Sequence, residues 1–454
     1  MSAHSDDLAA LRSLSSLQPL FSVERSLAAI TSLGGQEAAG FLETLRMRTL
    51  VMSRLAPYAD QSAVRRCMEA MRPKSESIQH MHKVLDGNLD MLERIASEAS
   101  LQFFAIKGLG ARATYSDPGV RDFSDLDVFV RTRTEASALV RTLRTEFGYQ
   151  YLKAELPWIK YDPSEMLVYG QFPLVAPDGS DHLLNVDIHF GDYSVRHSSR
   201  LGLTPQLPAG APGLQVLAPE ENLACVVNNA AGDYFVTAKD TNDLLMALSL
   251  PEFDVPRFAA RLRYAGLESF FGFIVAQLRA SSVLTAAQEE RLRTMPSTRT
   301  LEPTPDPREP HWKRRCLGTT VHAFGAGRRR GGVVTAVRAA AQAYGYYRDR
   351  LALSVAVPKA GREAPQPVGM NPSTCVRLVP VDIAEGLLAG QPSPSVLLKS
   401  APPKVLKVDQ GIQRVDTPAG QYFWIEDELF LATVDYVLPA ELISGARAAA
   451  AGHG

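Results

Sequence analysis

The sequence has few cysteines, and their spacing does not suggest a metal site. Cys67, Cys225, Cys316 and Cys375 are the four cysteines of the 454-residue chain, and they lie far apart. They form neither a Cys-x-x-Cys pair nor a zinc-ligand spacing, which is typical of a protein whose thiols stay reduced. We therefore expect a cytoplasmic protein.

An excess of one charge and long apolar runs are also missing. The formal net charge is −1, so the chain as a whole lacks the positive field typical of many nucleic-acid-binding proteins. No uninterrupted apolar run approaches the ~20 residues that span a bilayer. The start of the chain, Met-Ser-Ala-His-Ser-Asp-Asp, is polar and acidic, unlike a secretory signal. We expect no membrane partner.

Several common catalytic motifs are absent as well. The chain has no Walker A sequence, no His-Glu-x-x-His and no Gly-x-Ser-x-Gly. It therefore gives no support to the chemistries that those motifs carry, namely P-loop nucleotide hydrolysis, zinc-dependent proteolysis and serine hydrolysis.

The patterns that are present predict an α/β protein of several domains. Its length and its content of 46% hydrophobic and 21% charged residues fit two to four ordinary globular domains. Apolar spacing predicts a mixed sheet with flanking helical regions. The expected divisions are an N-terminal helical region (1–100), a catalytic α/β core (101–204), a helical region (214–355), a linker (356–372) and a small, mostly β C-terminal domain (373–446).

Within these regions, hydrophobic periodicity and turn residues predict individual elements. The predicted strands are 101–106, 125–130, 165–175 and 182–189, with a further pair at 421–425 and 428–434. The predicted helices are 75–99, 108–115, 134–147, 220–231, 236–250, 254–265, 267–280 and 286–294.

Three carboxylates stand out in the predicted core. Asp125 and Asp127 are two residues apart, so in a strand both point to the same side. On the strand 182–189, Asp187 shares a face with Asn185 and His189. Carboxylates gathered at a core strand repel one another unless a cation compensates them, and hard oxygen ligands favour Mg²⁺. We interpret His189 as a structural or supporting residue.

These segments resemble the uncharacterised nucleotidyltransferase family within the DNA polymerase-β-like superfamily. The resemblance rests on Lys107-Gly108 followed by a short helix, on Arg121, on Asp125-x-Asp127, and on Val186-Asp187-Ile188-His189. It covers roughly residues 103–189 and extends more weakly to about residue 250.

The resemblance implies transfer of a nucleoside monophosphate from a nucleoside triphosphate to an acceptor hydroxyl, with release of pyrophosphate. Two Mg²⁺ ions about 3.5–4 Å apart, with Mn²⁺ as the alternative ion, would stabilise the displacement. The implied metal ligands and catalytic residues are Asp125, Asp127 and Asp187. The implied triphosphate contacts are Lys107, Gly108, Gly110 and Arg121. The acceptor, whether a small molecule, an RNA end or a protein hydroxyl, is left open.

Two other functions fit the same stretch. Gly108-Leu-Gly110-Ala-Arg-Ala113 matches a loose dinucleotide fingerprint, and Asp125 and Asp127 lie near the offset of a ribose-binding acid, which would suit an NAD-dependent oxidoreductase of Rossmann type. A catalytically inert nucleotide-binding scaffold is the second alternative.

Two charged stretches lie downstream. We expect Lys239-Asp240-x-x-Asp243 to form a solvated helix face. The basic residues between Lys313 and Arg330, followed by Tyr344, Tyr346 and Tyr347, resemble a nucleic-acid-binding segment, although a solvated charge cluster is the favoured interpretation.

Overall fold

The computed structural model describes most of the first 296 residues and shorter segments beyond them. Described are residues 3–151, 158–162, 167–191, 194–195, 199–203, 210–233 and 235–296, with shorter segments between 320 and 446. The predicted linker 356–372 lies outside the described residues, and so does most of the basic stretch 313–330.

Most helices of the described residues fall into two runs separated by strands. The first run is α1 Ala3–Leu14, α2 Val23–Leu33, α3 Gly35–Thr44, α4 Arg48–Leu55 and α5 Ser62–Glu98. Next come the short helix α6 Lys107–Arg112 and the helix α7 Arg133–Phe147. The second run is α8 Pro219–Asp233, α9 Ala238–Ser249, α10 Val255–Ala265, α11 Glu268–Ser281 and α12 Ala286–Thr294.

The strands lie mainly between these runs and near the C-terminus. The first six are β1 Gln102–Ala105, β2 Leu126–Val130, β3 Gln150–Tyr151, β4 Trp158–Asp162, β5 Leu167–Val175 and β6 Val186–Gly191. The rest are β7 Ser194–Val195, β8 Ser199–Arg200, β9 Gly213–Val216, β10 Val376–Pro380, β11 Ile412–Thr417, β12 Gly420–Ile425 and β13 Glu428–Val434.

These elements are divided between two compact units. The first comprises Met1–Phe129, Asp178–Val186 and Ser199–Arg314, and the second comprises Val130–Pro177, Asp187–Ser198 and Arg315–Gly454. The division falls within β2 and within β6, so each of these strands is continuous from one unit into the other. Each unit combines segments that are distant in the sequence, whereas the predicted domains are continuous segments. The predicted boundaries are therefore not tested by this division and stay predictions.

Helices α1 to α5 form an apolar core in the first unit. Buried side chains from all five helices meet there, among them Leu11, Ile30, Leu42, Val51 and Met71. The predicted helix 75–99 is part of α5, which begins thirteen residues earlier and continues through Pro73. A proline inside a helix removes one backbone hydrogen bond, and the buried side chains on either side, Met71 and Ser75, keep the helix packed across it.

The first unit also contains a short mixed sheet. β1 pairs antiparallel with β2, with Phe104 opposite Phe129, and parallel with β9, with Gln102 opposite Gly213. In a dinucleotide-binding βαβ unit the two strands around the glycine-rich turn are parallel. The antiparallel pairing of β1 and β2 therefore contradicts the Rossmann alternative.

Helices α8 to α12 complete the first unit, and all five were predicted within two residues of their observed ends. Local signals explain this agreement. Thr237 and Thr285 each form a capping box with the residue three positions later, and Asp254 accepts a hydrogen bond from the N–H of Arg257. Among the described helices of the chain, none combines the length and apolar character that crossing a membrane requires.

The second unit is built on antiparallel strands. Its strand order is β6-β5-β4-β10-β13-β12-β11, and β3 pairs with the other end of β5. The predicted pair at 421–425 and 428–434 is confirmed by β12 and β13. β10 pairs with β4, so the described strands near the C-terminus continue this unit's sheet. Parallel and antiparallel strands together with helices confirm the predicted mixed α/β class.

Candidate active site

The turn after β1 has an unusual backbone. Lys107 begins α6 with a φ of +50°, in the left-handed region that residues with a side chain rarely adopt. The turn is joined to β2 because the N–H of Ile106 donates to the carbonyl oxygen of Asp127 (3.1 Å). Such conformations persist where the surroundings enforce them, and they are concentrated at functional sites.

The side chain of Lys107 lies against β2. Its Nζ is 2.7 Å from Oδ1 of Asp127, and the two side chains are 15% and 9% exposed. A carboxylate this far from water requires a counter-charge. In this structure the Lys107 ammonium supplies it.

Asp125 lies just before β2, which begins at Leu126. Its side chain is half-buried, and its Oδ1 accepts a hydrogen bond from the Ser124 hydroxyl (2.9 Å). The predicted strand 125–130 is therefore one residue shorter at its start, and Asp125 precedes the extended segment that positions Asp127.

Two side chains of the second unit lie against the carboxylate of Asp187. Nε2 of Gln171, on β5, donates to its Oδ2 (2.6 Å), and Nε2 of His189 lies 3.2 Å from the same oxygen. His189 follows Asp187 by two residues on β6, so both side chains lie on one face of the strand, as predicted.

Two carboxylates and a histidine belong to one group of potential metal ligands. Within the first unit, β2 and β6 are joined where the N–H of Leu126 donates to the carbonyl of Asn185 (2.8 Å). Among the described residues, Asp127, Asp187 and His189 each offer a ligand atom, and these atoms lie within 4.8 Å of one another. The structure thus brings together two of the three predicted acids and adds His189 to them.

A comparison with models of known families shows which family the chain belongs to. Residues 36–280, more than half of the chain, match an uncharacterised nucleotidyltransferase family. The chain belongs to this family. Comparisons with curated proteins and with solved structures gave no match. The family resemblance expected from the sequence is confirmed. Membership supports nucleotidyl transfer as the general reaction and a nucleotide as the substrate class.

In this member of the family, Arg121 is part of a buried ion pair. Its Nε and Nη2 donate to the two carboxylate oxygens of Asp243, both at 2.6 Å, and its side chain is 1% exposed. The Tyr115 hydroxyl donates to the same carboxylate (2.6 Å). Burial acts to lower the pKa of Arg121, but the Asp243 carboxylate outweighs it and keeps the guanidinium charged. Burial, reinforced by Asp243, raises the pKa of Tyr115 well above its ordinary value.

Helix α9, which supplies Asp243, is buried on nearly all sides. The solvated face expected for Lys239-Asp240-x-x-Asp243 is therefore wrong. Asp240 is a buried capping residue that accepts hydrogen bonds from the N–H and hydroxyl of Thr237, and Asp243 pairs with Arg121. In the sequence alone, charged residues on a helix resemble a solvated face. Their buried partners, such as Arg121 for Asp243, come from distant segments and are not visible in the local pattern.

Three residues at this site were not assigned from the sequence. Asn222 on α8 donates from Nδ2 to the carbonyl of Lys107 (3.2 Å), Gln171 orients Asp187, and Asp243 holds Arg121. The only sequence signal for Asn222 and Asp243 was their position within a predicted helix. Asn222 lies in the first turn of a helix opened by Pro219, and Asp243 lies one turn after a capping residue. Neither position identifies its partner.

Proposed function

We propose that this protein is a metal-dependent nucleotidyltransferase that moves a nucleoside monophosphate from a nucleoside triphosphate to an acceptor hydroxyl. The observation that carries the proposal is the gathering of Asp127, Asp187 and His189 in a member of this family. In the proposed reaction the acceptor oxygen bonds to the α-phosphorus. The bond from that phosphorus to the β-phosphate oxygen breaks, pyrophosphate leaves, and the hydroxyl proton passes to solvent.

The residues present fit a divalent cation. Mg²⁺ binds oxygen ligands at about 2.0–2.1 Å, so opposite ligands of one ion are about 4 Å apart, and the three ligand atoms lie within 4.8 Å of one another. Carboxylates suit both Mg²⁺ and Mn²⁺, and an imidazole nitrogen favours the latter. Asp127 and Asp187 would hold the ion, with Asp125 as a further carboxylate. A bound pair of ions would lower the acceptor hydroxyl's pKa and offset the charge of the triphosphate.

The turn after β1 would bind the triphosphate. Lys107 supplies a positive charge there, and the backbone beside Gly108 is the proposed contact for phosphate oxygens. Gly110 packs against Asn222 and the carbonyl of Ala105, so we propose that it shapes the turn. For Arg121 we propose a positioning role, because reaching a phosphate would require breaking two 2.6 Å hydrogen bonds to Asp243 inside the protein. The guanidinium instead fixes the segment that leads into β2.

The acceptor is a small molecule, an RNA end or a protein hydroxyl, and the cytoplasm is the proposed setting because it provides nucleoside triphosphates. Incubating the protein with each α-labelled nucleoside triphosphate, Mg²⁺ and a cell extract would show where the label goes. We expect label on one acceptor class, lost in Asp127→Asn. Nucleotide binding without transfer to any acceptor would overturn the enzymatic proposal and favour the inert scaffold.

A further inference from the structure

The left-handed backbone of Lys107 needs a structural cause. Its φ is +50°, and among the described residues other than glycine only Arg46 (+56°) and Ser100 (+53°) also have a positive φ. Unlike these two, Lys107 carries a side chain that bonds directly to a candidate metal ligand, Asp127. The direction of that side chain depends on the backbone conformation. The contacts that hold the backbone of Lys107 therefore also determine where its ammonium lies.

Two contacts hold the turn from opposite sides. On one side, the N–H of Ile106 donates to the carbonyl of Asp127 on β2 (3.1 Å). On the other side, Asn222 of α8, which is 4% exposed, donates from Nδ2 to the carbonyl of Lys107 itself (3.2 Å). A buried amide is thus bonded directly to the carbonyl of the residue whose backbone is left-handed.

Helix α8 also presses directly on the turn at Gly110. A Cβ at that position would lie 2.7 Å from Oδ1 of Asn222 and 2.7 Å from the carbonyl oxygen of Ala105. Neither atom is the end of a long flexible side chain, so any larger residue would displace the turn or the helix. Gly110 therefore allows Asn222 to approach closely enough to bond to Lys107.

We propose that Asn222 is a positioning residue, which holds Lys107 in its left-handed conformation and thereby places the Lys107 ammonium on Asp127. The effect of Asn222 on nucleotide binding rests on the proposed function. The placement of the Lys107 ammonium does not rest on it, and this placement can be measured without any nucleotide.

The first experiment measures the accessibility of Lys107 in the full chain. Reductive methylation followed by mass spectrometry gives the labelling rate of each lysine, with the exposed Lys74 as internal reference. In Asn222→Ala we expect Lys107 to be labelled several-fold faster, because its ammonium leaves Asp127. Asn228→Ala is the matched control: Asn228 is also a buried amide on α8, and its Nδ2 makes no hydrogen bond within the described structure.

An unchanged labelling rate at Lys107 in Asn222→Ala, or an equal rise in Asn228→Ala, would overturn the proposal. If Asn222→Ala does not fold, as judged by circular dichroism, Asn222→Ser replaces it. The serine hydroxyl is too short to span the same distance, so the same rise is expected.

The second experiment tests the consequence for nucleotide binding through a double-mutant cycle. Asn222→Ala should weaken Mg²⁺–nucleotide binding by about tenfold in the wild-type background, and by much less in Lys107→Met, because the two residues act through one ammonium. Equal effects in both backgrounds would contradict a role through Lys107. If wild-type protein binds no nucleotide, the proposed function fails, whereas the labelling result still decides the role of Asn222.

Discussion

In the proposed function, the Lys107 ammonium and a metal ion would compete for the same carboxylate. With Nζ at 2.7 Å from Oδ1 of Asp127, the lysine stands where a cation bound to that oxygen would stand. A triphosphate offers the ammonium new anionic partners, so nucleotide binding should draw Lys107 from Asp127 and release the carboxylate for metal. Metal and nucleotide are therefore expected to bind together.

The variant Lys107→Met should separate these two effects. Removing the ammonium leaves Asp127 without its counter-charge, so affinity for free Mn²⁺ should rise by about tenfold, the equivalent of 1.4 kcal/mol. Affinity for the Mg²⁺–nucleotide complex should fall, because a phosphate contact is lost. Paramagnetic resonance of Mn²⁺ and calorimetry measure the two. Lys74→Met, which removes an exposed lysine paired with the partly buried Glu43, is the control. Unchanged Mn²⁺ affinity would contradict the competition.

Asp187 and Asp127 are expected to differ in function. Asp187→Asn keeps the shape of the side chain that Gln171 and His189 contact, but it removes a charge from the proposed metal site. We expect near wild-type affinity for the Mg²⁺–nucleotide complex and transfer slowed roughly a hundredfold or more, as when one preorganised electrostatic contact to a transition state is lost. Asp127→Asn should damage both binding and transfer. Wild-type transfer by Asp187→Asn, followed with labelled nucleotide, would remove Asp187 from the site.

At the scale of elements, the segment before β2 is anchored to α9. Arg121 and Asp243 form this anchor, with Tyr115 donating to the same carboxylate. Helix α9 could be predicted from the sequence, because helix periodicity and capping are local signals. The sequence did not predict the ion pair, because Arg121 and Asp243 are 122 residues apart and each alone resembles a solvated charge.

The cost of breaking this anchor distinguishes a positioning role from a phosphate contact. Arg121→Met leaves Asp243 buried without a counter-charge, which should reduce the free energy of unfolding by about 3–5 kcal/mol. The double variant Arg121→Met/Asp243→Leu should lose less than Arg121→Met, because no charge is left unpaired. Denaturant unfolding measures both. A stable Arg121→Met protein with weakened nucleotide affinity would restore the phosphate role predicted from the sequence.

The first turn of α9 should make stability depend on pH through Lys239. Burial, together with repulsion from Arg121 and Arg46, lowers its pKa from 10.5 to about 8, against the attraction of Asp240 and Asp243. Between about pH 8 and 10.5 the unfolded chain holds a proton that the folded protein has released, so stability rises with pH through this window. Below it, the folded protein carries the full cost of the charged ammonium.

Lys239→Met removes that cost and its pH dependence. At pH 7 we expect the variant to melt at least about 2 °C higher than the wild type, the shift expected for roughly 1 kcal/mol in a large domain. The gain should shrink as pH rises from 8 to 10.5. Lys83→Met, at an exposed position of α5, should show neither effect. A gain that is equal at pH 7 and pH 10 would show that packing, and not charge, is responsible.

At the scale of the whole molecule, local patterns predicted the elements and non-local pairing determined the site. Helices α8 to α12 follow from capping residues and apolar spacing. The observation that excludes the dinucleotide-binding alternative is the antiparallel direction of β2 against β1, which no short stretch of sequence specifies. Asn222 and Gln171 were missed for the same reason. They come from elements remote in sequence from the residues they hold.

The N-terminal helices α1 and α2 lie outside the family match, which begins at residue 36, but they are part of the first unit's core. They bury apolar side chains, among them Ala10, Leu11, Leu14, Leu27 and Ile30. The segment around them also bonds to the second run of helices: the N–H of Leu20 donates to the carbonyl of Ser281 (3.0 Å), and Arg12 donates to the carbonyl of Val236 (3.0 Å).

A chain that begins at residue 36 should therefore fold poorly, although it keeps every residue matched to the family. Each large apolar side chain lost from the core removes about 1.5–3 kcal/mol of burial, and several together approach the 5–15 kcal/mol by which typical domains are stable. We expect the melting temperature to fall by at least about 10 °C, or the cooperative transition to vanish, in thermal circular dichroism. A synthetic peptide of residues 1–35 added in trans should restore part of the transition. A truncated chain that melts within about 2 °C of the full chain would show that the matched segment alone carries the core.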